Sequence, residues 1–454
     1  MADPYERLKR FQQTTTQQTK PEPAASPAPS TPPEEPAKAA VRPLPQALLS
    51  IPGVVRGNQL ETIIQERDES KQRFLTTIGV SEKANVSGAY GLREVRYGSR
   101  DLLFPASAID GEGLVLQTRD ETFTPIRAQD LLFIDTETTG LAGGTGTLPF
   151  LTGLGYFTAE GFTIRQYLMR DYDEEPAVMD EIEALFARFP AVASYNGKCF
   201  DLPLLQSRFL LNRKRVDLST RPHVDLLYPA RRLWSLCLPD CTLGTVEQHI
   251  LGRTRADDIP GALIPYVYFD FLRGLRMSRM RQVLNHNAED IYSLAMLTAK
   301  TCRLFCDPER ECRHAAEWIG LARNAIASSA FEEAARFFET ALRQSDISDA
   351  LRGKTQKHLS LLYKRLNTWP QAAALWHEMT TTTEAVFARV ELAKYFEHQQ
   401  KGYETALQHT EAALRYLGIP PTQWDNTHPA ASAIVDELRR RRQRLLTRLT
   451  RLFS

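Results

Sequence analysis

The stretch LLFIDTETTGLAGGTGTLPFLTGLGYF, residues 131–157, decides the fold. It places Asp135 and Glu137 at the end of an apolar run and follows them with a cluster of glycines and threonines. Residues 130–137 are predicted to form a buried strand, and residues 148–157 a second one. Because side chains alternate along a strand, both carboxylates are expected on one face, where a divalent cation would offset their burial. A pair of acids that caps a turn is the alternative.

The glycine cluster is a competing signal, since glycines between a strand and a helix can hold phosphate. No lysine follows these glycines, and they lead into a strand and not into a helix N-terminus. We therefore interpret Gly143, Gly144 and Gly146 as a flexible turn. This turn would give a nucleic-acid end room to approach the two acids.

The segments after residue 157 complete an α/β pattern. FTIRQYLMRDY, residues 162–172, is predicted to be a third strand; a helix is expected at 175–189 and a fourth strand at 191–196. Three strands in succession, then a helix, then another strand, is the opening order of an RNase H-like fold. The predicted fold class is therefore an RNase H-like mixed sheet with flanking helices, followed by an all-α domain.

Composition divides the 454 residues into four parts. Residues 1–45 are rich in Pro, Ala and Thr and are predicted to be a disordered tail. Residues 46–129 form an N-terminal extension, residues 130–306 the RNase H-like domain, and residues 307–454 the helical domain. Within the extension, the sequence predicts one helix and two short strands, at 60–80, 89–98 and 113–118.

The last third of the chain repeats an aromatic residue followed by small residues at helical spacing. These segments begin at Phe331, Trp369 and Tyr403, which lie 38 and 34 residues apart. The period resembles that of tetratricopeptide (TPR) repeats, through which a protein partner would bind; a generic helical bundle is the alternative. The basic run LRRRRQRLLTRLTRLF from Leu438 is predicted to be an amphipathic capping helix. Contact of its arginines with nucleic acid is a second interpretation.

Composition also limits location and function class. No apolar run has the length of a membrane span, and the first residues lack the apolar core of a signal peptide, so we expect a cytoplasmic protein with no membrane partner. Six cysteines at uneven spacing fit a reducing compartment. Cys302, Cys306 and Cys312 could ligate a metal, although buried structural thiols are favoured. The net charge of +1 does not indicate nucleic-acid binding, so any basic surface must be local.

Two later segments supply further candidates for chemistry. Asp201 follows the fourth strand and begins a helix, and Asp290 opens an apolar helix with His286 one turn earlier. If that segment is helical, His286 and Asp290 share a face. Together with Asp135 and Glu137, these aspartates can hold two Mg²⁺ or Mn²⁺ ions for in-line attack on a phosphodiester. His286 would then be the general base.

At this point the residues resemble a known family. FIDTETTG, YNGKCFDLPLL and HNAEDIYSL are similar to the three motifs of the DEDD (DnaQ-like) 3′-5′ exonucleases. With HVDLL, CTLGTVEQHILG, RADDIPG and the TPR-like segments, the chain resembles the bacterial YprB-like proteins. The resemblance implies a DEDD-type exonuclease that hydrolyses single-stranded DNA or RNA ends. It also implies substrate contacts by Thr138 and Asn196, although a turn-forming Asn196 is the alternative.

The sequence departs from the DEDD pattern at the general base. DEDD enzymes carry a tyrosine four residues before the last aspartate or a histidine five residues before it. Here His286 stands at the tyrosine spacing, and Asn285 occupies the other position. The metal site is therefore expected to survive, and the alternative function is a catalytically weak or inactive nucleic-acid-binding scaffold whose repeats recruit a protein partner.

Two more motifs leave their roles open. His223 and Asp225 in HVDLL could support the site from a neighbouring strand, but a structural role is favoured. Arg253, Asp257 and Asp258 could belong to a substrate-side loop or to a salt-bridged helix cap.

Overall fold

The computed structural model describes three ranges of the chain, 69–140, 146–424 and 432–453. The described residues belong to one compact unit, Gln65–Ser454. The predicted tail at residues 1–45 and the turn glycines Gly143 and Gly144 lie outside these ranges. Of the helix predicted at 60–80, residues 69–77 are helical and the earlier part lies outside the described residues.

One seven-stranded sheet forms the framework of the α/β region. Its strands are β1 (Val80–Asn85), β2 (Gly88–Gly98), β3 (Leu131–Thr138), β4 (Pro149–Phe157), β5 (Gly161–Leu168), β6 (Ala191–Ser194) and β7 (His223–Asp225). They lie in the order β1-β2-β5-β4-β3-β6-β7. Neighbouring strands are antiparallel, except that β3, β6 and β7 run parallel to one another. The predicted order of three strands, a helix and a fourth strand is confirmed, and the carboxyl ends of β3, β6 and β7 meet at one edge.

Helices cover both faces of this sheet. They are α1 (Gly111–Thr118), α2 (Glu175–Arg188), α3 (Asp201–Leu211), α4 (Leu227–Trp234), α5 (Leu243–Val246), α6 (Ile264–Leu272), α7 (Met280–Cys306) and α8 (Pro308–Glu311). Leu132 and Ile134 of β3 pack with α2 and α3, whereas Leu131 and Phe133 pack with α7. Alternation along β3 therefore sends successive side chains into two different cores, and the next residues on the α7 side are acidic.

One short strand was predicted wrongly. Residues 113–118, expected to be extended, belong to the helix α1. The Asp110 carboxylate accepts a hydrogen bond of 2.8 Å from the Gly113 amide and so caps this helix. A β-carbon on Gly113 would lie 2.6 Å from that of Cys302, so α1 packs closely on α7. Such a short apolar run fits a strand and a buried helix equally well, and tertiary packing decides between them.

Glycines of β4 allow α7 to approach the sheet. A β-carbon on Gly153 would stand 2.2 Å from the Asn287 side-chain oxygen, and one on Gly155 would stand 2.4 Å from the Ile291 side chain. Both distances are far below van der Waals contact, so neither position accepts a larger residue without moving the helix. This close approach brings the polar residues of α7 to the end of β3.

From residue 315 onward, the described parts of the chain form helices joined by short loops, as predicted. The helices are α9 (Ala315–Ala327), α10 (Phe331–Arg343), α11 (Asp349–Arg365), α12 (Trp369–Met379), α13 (Ala385–His398), α14 (Tyr403–Tyr416) and α15 (Ala433–Phe453). Each helix packs against the next. The aromatic residues Phe331, Trp369 and Tyr403 begin α10, α12 and α14. The TPR assignment and the domain boundary after residue 306 stay predictions.

Helix α9 docks on the α/β region. The Trp234 indole at the end of α4 donates a hydrogen bond of 2.9 Å to the Glu317 carboxylate of α9, and both side chains are buried. Trp234 and Trp318 belong to the same hydrophobic core as Phe133 of the sheet. The first helix after residue 311 therefore shares a core with the sheet.

The basic helix α15 is held by acids of its neighbours. Arg441 and Arg444 donate to the buried Glu397 of α13 at 2.7 and 2.8 Å, and Arg442 donates to Glu411 of α14 at 2.9 Å. These three guanidinium groups are therefore engaged within the chain. Among the described helices, none combines the length and the apolar character required to cross a membrane.

The three clustered cysteines do not share one environment. Cys302 and Cys312 are buried and Cys306 is exposed. The Gln117 amide donates a hydrogen bond of 3.2 Å to the Cys302 sulfur. The group of potential metal ligands that occurs among the described residues contains no cysteine. The environments of Cys302 and Cys312 match the buried-thiol interpretation.

Candidate metal centre

Two of the predicted acids stand at the end of β3, in the middle of the sheet. The Asp135 carboxylate accepts a hydrogen bond of 2.7 Å from the Asn287 side chain of α7. One Glu137 carboxylate oxygen lies 4.0 Å from His286 Nε2, also on α7. Both acids therefore face the same helix, as alternation along the strand predicts. The ladder to β4 is irregular between Glu137 and Thr138, so the regular strand ends directly behind the acids.

Asn287 positions Asp135 and was not identified from the sequence. Its side-chain oxygen accepts a hydrogen bond of 2.8 Å from the Gln166 amide of β5, which fixes the orientation of the Asn287 amide. The Asn287 nitrogen is thereby left to donate to the Asp135 carboxylate and, at 3.2 Å, to the Asp135 carbonyl. The sequence signal for Asn287 is weak, because the same helix also buries other polar residues, such as Asp290 and Ser293.

Asp201 reaches the same place from the beginning of α3. Its carboxylate accepts hydrogen bonds from the Thr136 hydroxyl at 2.6 Å and from the Thr136 amide at 3.1 Å. Thr136 lies between Asp135 and Glu137 on β3. The third motif acid is therefore fixed beside the first two by the strand that carries them.

The long helix α7 carries the remaining predicted residues. His286 and Asp290 are one turn apart, and His286 Nε2 lies 3.4 Å from an Asp290 carboxylate oxygen. Ligand atoms of Glu137, His286 and Asp290 all lie within 4.8 Å of one another. This is the spacing at which a single ion can be shared, so β3 and α7 together create a potential cation site.

The four carboxyl groups carry more negative charge than their surroundings compensate. Burial, followed by repulsion from Asp290, raises the pKa of Asp135 well above its usual range. Burial also raises the pKa of Glu137 to about 8 and that of Asp201 to about 6. The pKa of Asp290 is raised by burial although the Arg255 guanidinium opposes the shift. A compact group of buried acids in this condition attracts cations.

Arg255 is the main residue that the sequence analysis missed. Its guanidinium forms an ion pair with Asp290 and is anchored on the other side by Glu247, whose carboxylate accepts from Arg255 Nε at 2.7 Å. The side chain is largely buried, with 13% of its surface exposed. The run RTRADD carries several charges, and nothing in it distinguishes the arginine that turns toward the site. The positive charge of Arg255 partly compensates the negative charge of Asp290, which is the one of the four acids that lies on α7.

The same loop supplies a partner for the histidine. His286 Nδ1 lies 2.7 Å from the Asp258 carboxylate and 3.2 Å from a guanidinium nitrogen of Arg255. When the ring donates an Nδ1 proton to Asp258, Nε2 is directed toward Glu137 and Asp290. Asp290 and Glu137 raise the pKa of His286 and outweigh burial, which would lower it. A substrate-side role of this loop stays a prediction.

The other two residues of that loop lie on the surface of α7. Arg253 pairs with Glu289 and stands over the Tyr292 ring at 4.7 Å from its centroid. The Asp257 carboxylate accepts a hydrogen bond of 2.7 Å from the Gln282 side chain. These contacts fasten the loop to α7, in agreement with the salt-bridged interpretation.

The two predicted substrate contacts have local partners. The Thr138 hydroxyl donates to the Gly140 carbonyl at 2.7 Å. Asn196 has a left-handed backbone, with φ of 64°, and its amide donates to the Asp225 carboxylate at 2.7 Å. This conformation matches the turn-forming alternative, because asparagine tolerates it better than most residues. Contact with substrate stays a prediction for both residues.

His223 and Asp225 build the loop that leads to Asp201. Asp225 accepts hydrogen bonds from the amides of Asn196 and Lys198, at 2.7 and 3.1 Å. The His223 ring lies 2.7 Å from the Ser194 hydroxyl, and both groups are buried. These bonds tie β6 and β7 together below the loop, which agrees with the structural role that the sequence favoured.

The donor set suits a hard divalent cation. The carboxylate oxygens of Asp135, Glu137, Asp201 and Asp290 are the ligands that Mg²⁺ and Mn²⁺ prefer, and imidazole is acceptable to Mn²⁺. Burial is the main cause of the raised pKa values of these acids, and a divalent ion would stabilise their charged forms. The residues present therefore fit a divalent metal.

Comparison with known proteins defines the class. Residues 132–302 match the RNase H superfamily, whose members are generally hydrolytic nucleases. The matched range begins in β3 and ends in α7, so it contains all four acids and His286. The α/β region is thus an RNase H-like domain.

A bacterial relative extends beyond this domain. "Uncharacterized protein YprB" of Bacillus subtilis (strain 168) is 34% identical to the chain over 294 residues, which cover 63% of this chain and 69% of the relative. The chain belongs to the same RNase H-like family as YprB.

Proposed function

We propose that this protein is a metal-dependent nuclease, specifically a DEDD-type 3′-5′ exonuclease that acts on single-stranded DNA or RNA ends. The observation that carries the proposal is a group of four carboxyl groups that β3, α3 and α7 bring to one edge of the sheet. Asp201 and Asp290 are buried, Asp135 and Glu137 are partly buried, and one arginine and one histidine accompany them. Membership of the RNase H superfamily supports hydrolysis of phosphodiesters. The motif resemblance supports the exonuclease type and its polarity.

In this proposal the four acids hold two Mg²⁺ or Mn²⁺ ions. Such ions supply charge stabilisation and Lewis acidity for in-line attack on a phosphodiester. Asn287 fixes the rotamer of Asp135, and Thr136 fixes Asp201, so both carboxylates are oriented before any ion binds. Orientation of ligands in advance is the contribution that the protein itself makes to such a site.

His286 is the proposed general base. In the neutral ring, with the Nδ1 proton donated to Asp258, Nε2 would accept a proton from an attacking water. The location of Nε2, 3.4 Å from Asp290 and 4.0 Å from Glu137, places it among the proposed ligands. Direct ligation of an ion by His286 is the competing role, and the two roles predict different effects of substitution.

The substrate and the cellular setting complete the proposal. Thr138 and Asn196 would contact the strand near the scissile phosphate, and the glycine turn after β3 would leave room for a 3′ end. The helical region would recruit a protein partner through TPR-like repeats. The cytoplasm is the proposed location, since six cysteines at uneven spacing fit a reducing compartment.

The test is release of nucleotides from end-labelled DNA and RNA strands with free or blocked 3′ ends, with and without Mn²⁺ or Mg²⁺. The proposal predicts metal-dependent shortening from a free 3′ end and no shortening of the blocked strand. The Asp135→Ala, Glu137→Ala double variant should be inactive. Undiminished activity in this variant would remove the proposed site, and internal cuts in the blocked strand would replace the exonuclease with an endonuclease.

One observation favours a second candidate function. The ion pair between Arg255 and Asp290 places a permanent cation on one of the four acids, which weakens the demand for a second metal ion there. A scaffold that binds nucleic acid without cutting it could keep such a pair. Absence of hydrolysis by the unmodified protein on every substrate, together with retained binding to a single strand, would support this alternative.

A further inference from the structure

A basic cavity lies at the same edge of the sheet as the acids. It has a volume of about 540 Å³, and its walls come from the end of α1, the loop before α3, α4 and α9. Its charged lining consists of five basic side chains and one carboxylate: Arg119, Lys198, Arg231, Arg232, Arg323 and Asp225. Since the whole chain has a net charge of only +1, this excess of positive charge is local.

The acid in this cavity does not neutralise the basic groups. The Asp225 carboxylate is engaged by three backbone amides, those of Asn196, Lys198 and Leu227. Within the described ranges, Arg119, Arg231 and Arg323 form no ion pair with a carboxylate. This contrasts with the arginines of α15, which are paired with glutamates. An anion that enters the cavity would therefore meet five basic side chains and the single carboxylate of Asp225, whose oxygens are already engaged by amides.

Arg232 shows that the positive charge is fixed in place. Its guanidinium donates to the Asn324 side-chain oxygen and to the Gln117 carbonyl, which are both neutral acceptors. Burial, followed by repulsion from Arg119, lowers the pKa of Arg232 to about 10. Two guanidinium groups close enough to disfavour each other's charge would be stabilised by a bound anion.

The helical region contributes to the cavity through rigid packing. A β-carbon on Gly320 of α9 would lie 2.4 Å from the Arg232 carbonyl oxygen, so α9 and α4 are in backbone contact. Arg323 follows Gly320 by one turn of α9. Its guanidinium is thereby carried to the RNase H-like domain by a helix that lies outside the matched range 132–302.

The cavity is close to the four acids along the sheet edge. β6 lies between β3 and β7 in a parallel arrangement, and neighbouring strands are about 4.8 Å apart. In this register the end of β7 at Asp225 is level with Ile134, so it lies roughly 10 Å from the backbone of Asp135. Lys198, in the cavity wall, precedes Asp201 by three residues in the same loop. A strand whose scissile phosphate lies at the acids can therefore reach the cavity with a phosphate a few nucleotides away.

We propose that this cavity binds backbone phosphates of a single-stranded nucleic acid, next to the proposed hydrolytic site and through arginines of both the RNase H-like domain and α9. The path of the strand rests on the proposed function, whereas the binding of phosphate does not. The exposed Tyr228 ring, with Lys198 Nζ at 5.7 Å from its centroid, adds an aromatic surface on which a base can stack. This surface favours nucleic acid over a phosphorylated peptide.

The test compares three alanine substitutions in the full chain, Arg119→Ala, Arg231→Ala and Arg323→Ala together, with a matched set outside the cavity. The control set is Arg100→Ala, Arg310→Ala and Arg336→Ala, which removes the same charge from exposed positions. Fluorescence anisotropy with labelled oligothymidylate and oligouridylate of about 20 nucleotides, in EDTA, measures Kd as a function of salt. The cavity variant should bind at least about tenfold more weakly at moderate salt, and its salt slope should fall by about 2.

Two further measurements separate strand binding from damage to the fold. Thymidine 5′-monophosphate p-nitrophenyl ester carries no distant phosphate, so the cavity variant should hydrolyse it with Mn²⁺ as the unmodified protein does. The variant Arg119→Lys, Arg231→Lys, Arg323→Lys retains the positive charges, so it should recover most of the affinity for the strand. Failure of the unmodified protein to hydrolyse either substrate would count against the proposed function and leave the binding result to stand alone.

Three results would overturn the inference. Unchanged Kd and salt slope in the cavity variant would exclude the arginines as phosphate contacts. Equal losses in the control set, or a lysine variant as weak as the alanine variant, would show that the cavity has no special role. Tighter binding of a phosphoserine peptide than of either oligonucleotide would assign the cavity to a protein partner instead.

Discussion

Two groups of buried acids in this molecule have opposite electrostatic states. In the helical region, Glu397 is fully buried, and the Arg444 and Arg441 guanidinium groups outweigh its burial and hold its pKa below the usual range. Glu391 is held low in the same way by Lys364 and then Lys394. At the end of β3, by contrast, burial raises the pKa of Glu137 to about 8.

The difference shows what each group is for. A buried acid that contributes to folding is surrounded by cations of the chain itself, and removal of either partner leaves a costly unpaired charge. The acids of the candidate metal centre share one arginine, Arg255, and one histidine, His286, among four carboxyl groups. Such an arrangement is stabilised when protons or a cation from solution neutralise the acids, and a bound cation is the expectation for a metal site.

The largest predicted effect is a loss of nuclease activity on substitution of an acid of the candidate metal centre, with no such loss for a buried acid of the helical region. Glu137→Gln removes a proposed metal ligand while keeping the shape of the side chain. We expect metal-dependent nucleotide release to fall by at least about 10³-fold, which corresponds to about 4 kcal/mol in the activation barrier. An end-labelled strand assay with Mn²⁺ measures this loss. Glu397→Gln is the matched control and should retain activity; a similar loss in both variants would contradict the assignment.

The same two substitutions should change the stability of the folded protein in opposite directions. Glu397→Gln leaves the buried Arg441 without its main counter-charge and should cost about 3 kcal/mol, toward the low end for buried pairs because Arg444 is partly exposed. Glu137→Gln removes an uncompensated buried charge and should raise the unfolding midpoint in EDTA at pH 8. Thermal unfolding monitored by circular dichroism tests both, and a loss of stability in Glu137→Gln would reverse the comparison.

His286 provides the next, smaller effect. As a general base it should support turnover more than metal affinity, so His286→Ala is expected to lower kcat by about 10²-fold or more. The Kd for Mn²⁺, measured by calorimetry, should change little. Equal losses in turnover and in Mn²⁺ affinity would make His286 a ligand. Asp258→Asn, which weakens the bond that orients the ring, should lie between the unmodified protein and His286→Ala in turnover.

The pH dependence of stability gives the smallest effect. Because the folded-state pKa of Glu137 is raised from 4.5 to about 8, the unfolded chain loses this proton first, and folding stability falls as pH rises through that window. The raised pKa of His286 acts in the same direction, since its contribution is present below pH 6.5 and is lost above it. In EDTA the unfolding midpoint should therefore decrease from pH 5 to pH 8.

Glu137→Gln is the control for this slope and should flatten it. Glu397 has a lowered pKa, so its contribution is present above pH 4.5 and is lost only in more acidic solution. Glu397→Gln should therefore leave the slope between pH 5 and 8 unchanged. A slope that persists in Glu137→Gln would show that other groups cause it.

The comparison also explains which parts of the site were predictable. Asp135 and Glu137 could be placed on one face because strand alternation is a local rule, and the same holds for His286 and Asp290 on a helix. Three successive strands and a helix followed from runs long enough to show their period. The relation of Asp201 to these acids came from motif order, and the contact with Thr136 locates it physically.

What the sequence did not predict depends on distant contacts. Arg255 meets Asp290 across 35 positions of the chain, and Asn287 meets Asp135 across 152. No local pattern reveals such partners. Residues 113–118 were predicted to be a strand because so short an apolar run fits both structures; the Asp110 cap and the packing of Gly113 on Cys302 select the helix.

The most direct measurement of the central claim is the unfolding midpoint with and without Mn²⁺, at pH 7.5, for the unmodified protein and for Asp135→Asn, Glu137→Gln. If the acids form a divalent cation site, Mn²⁺ at a hundred times its Kd should raise the free energy of unfolding of the unmodified protein by about 2.7 kcal/mol. The unfolding midpoint of the variant should not change. An unfolding midpoint of the unmodified protein that does not change with Mn²⁺, or an equal change in both proteins, would contradict a metal site at these acids.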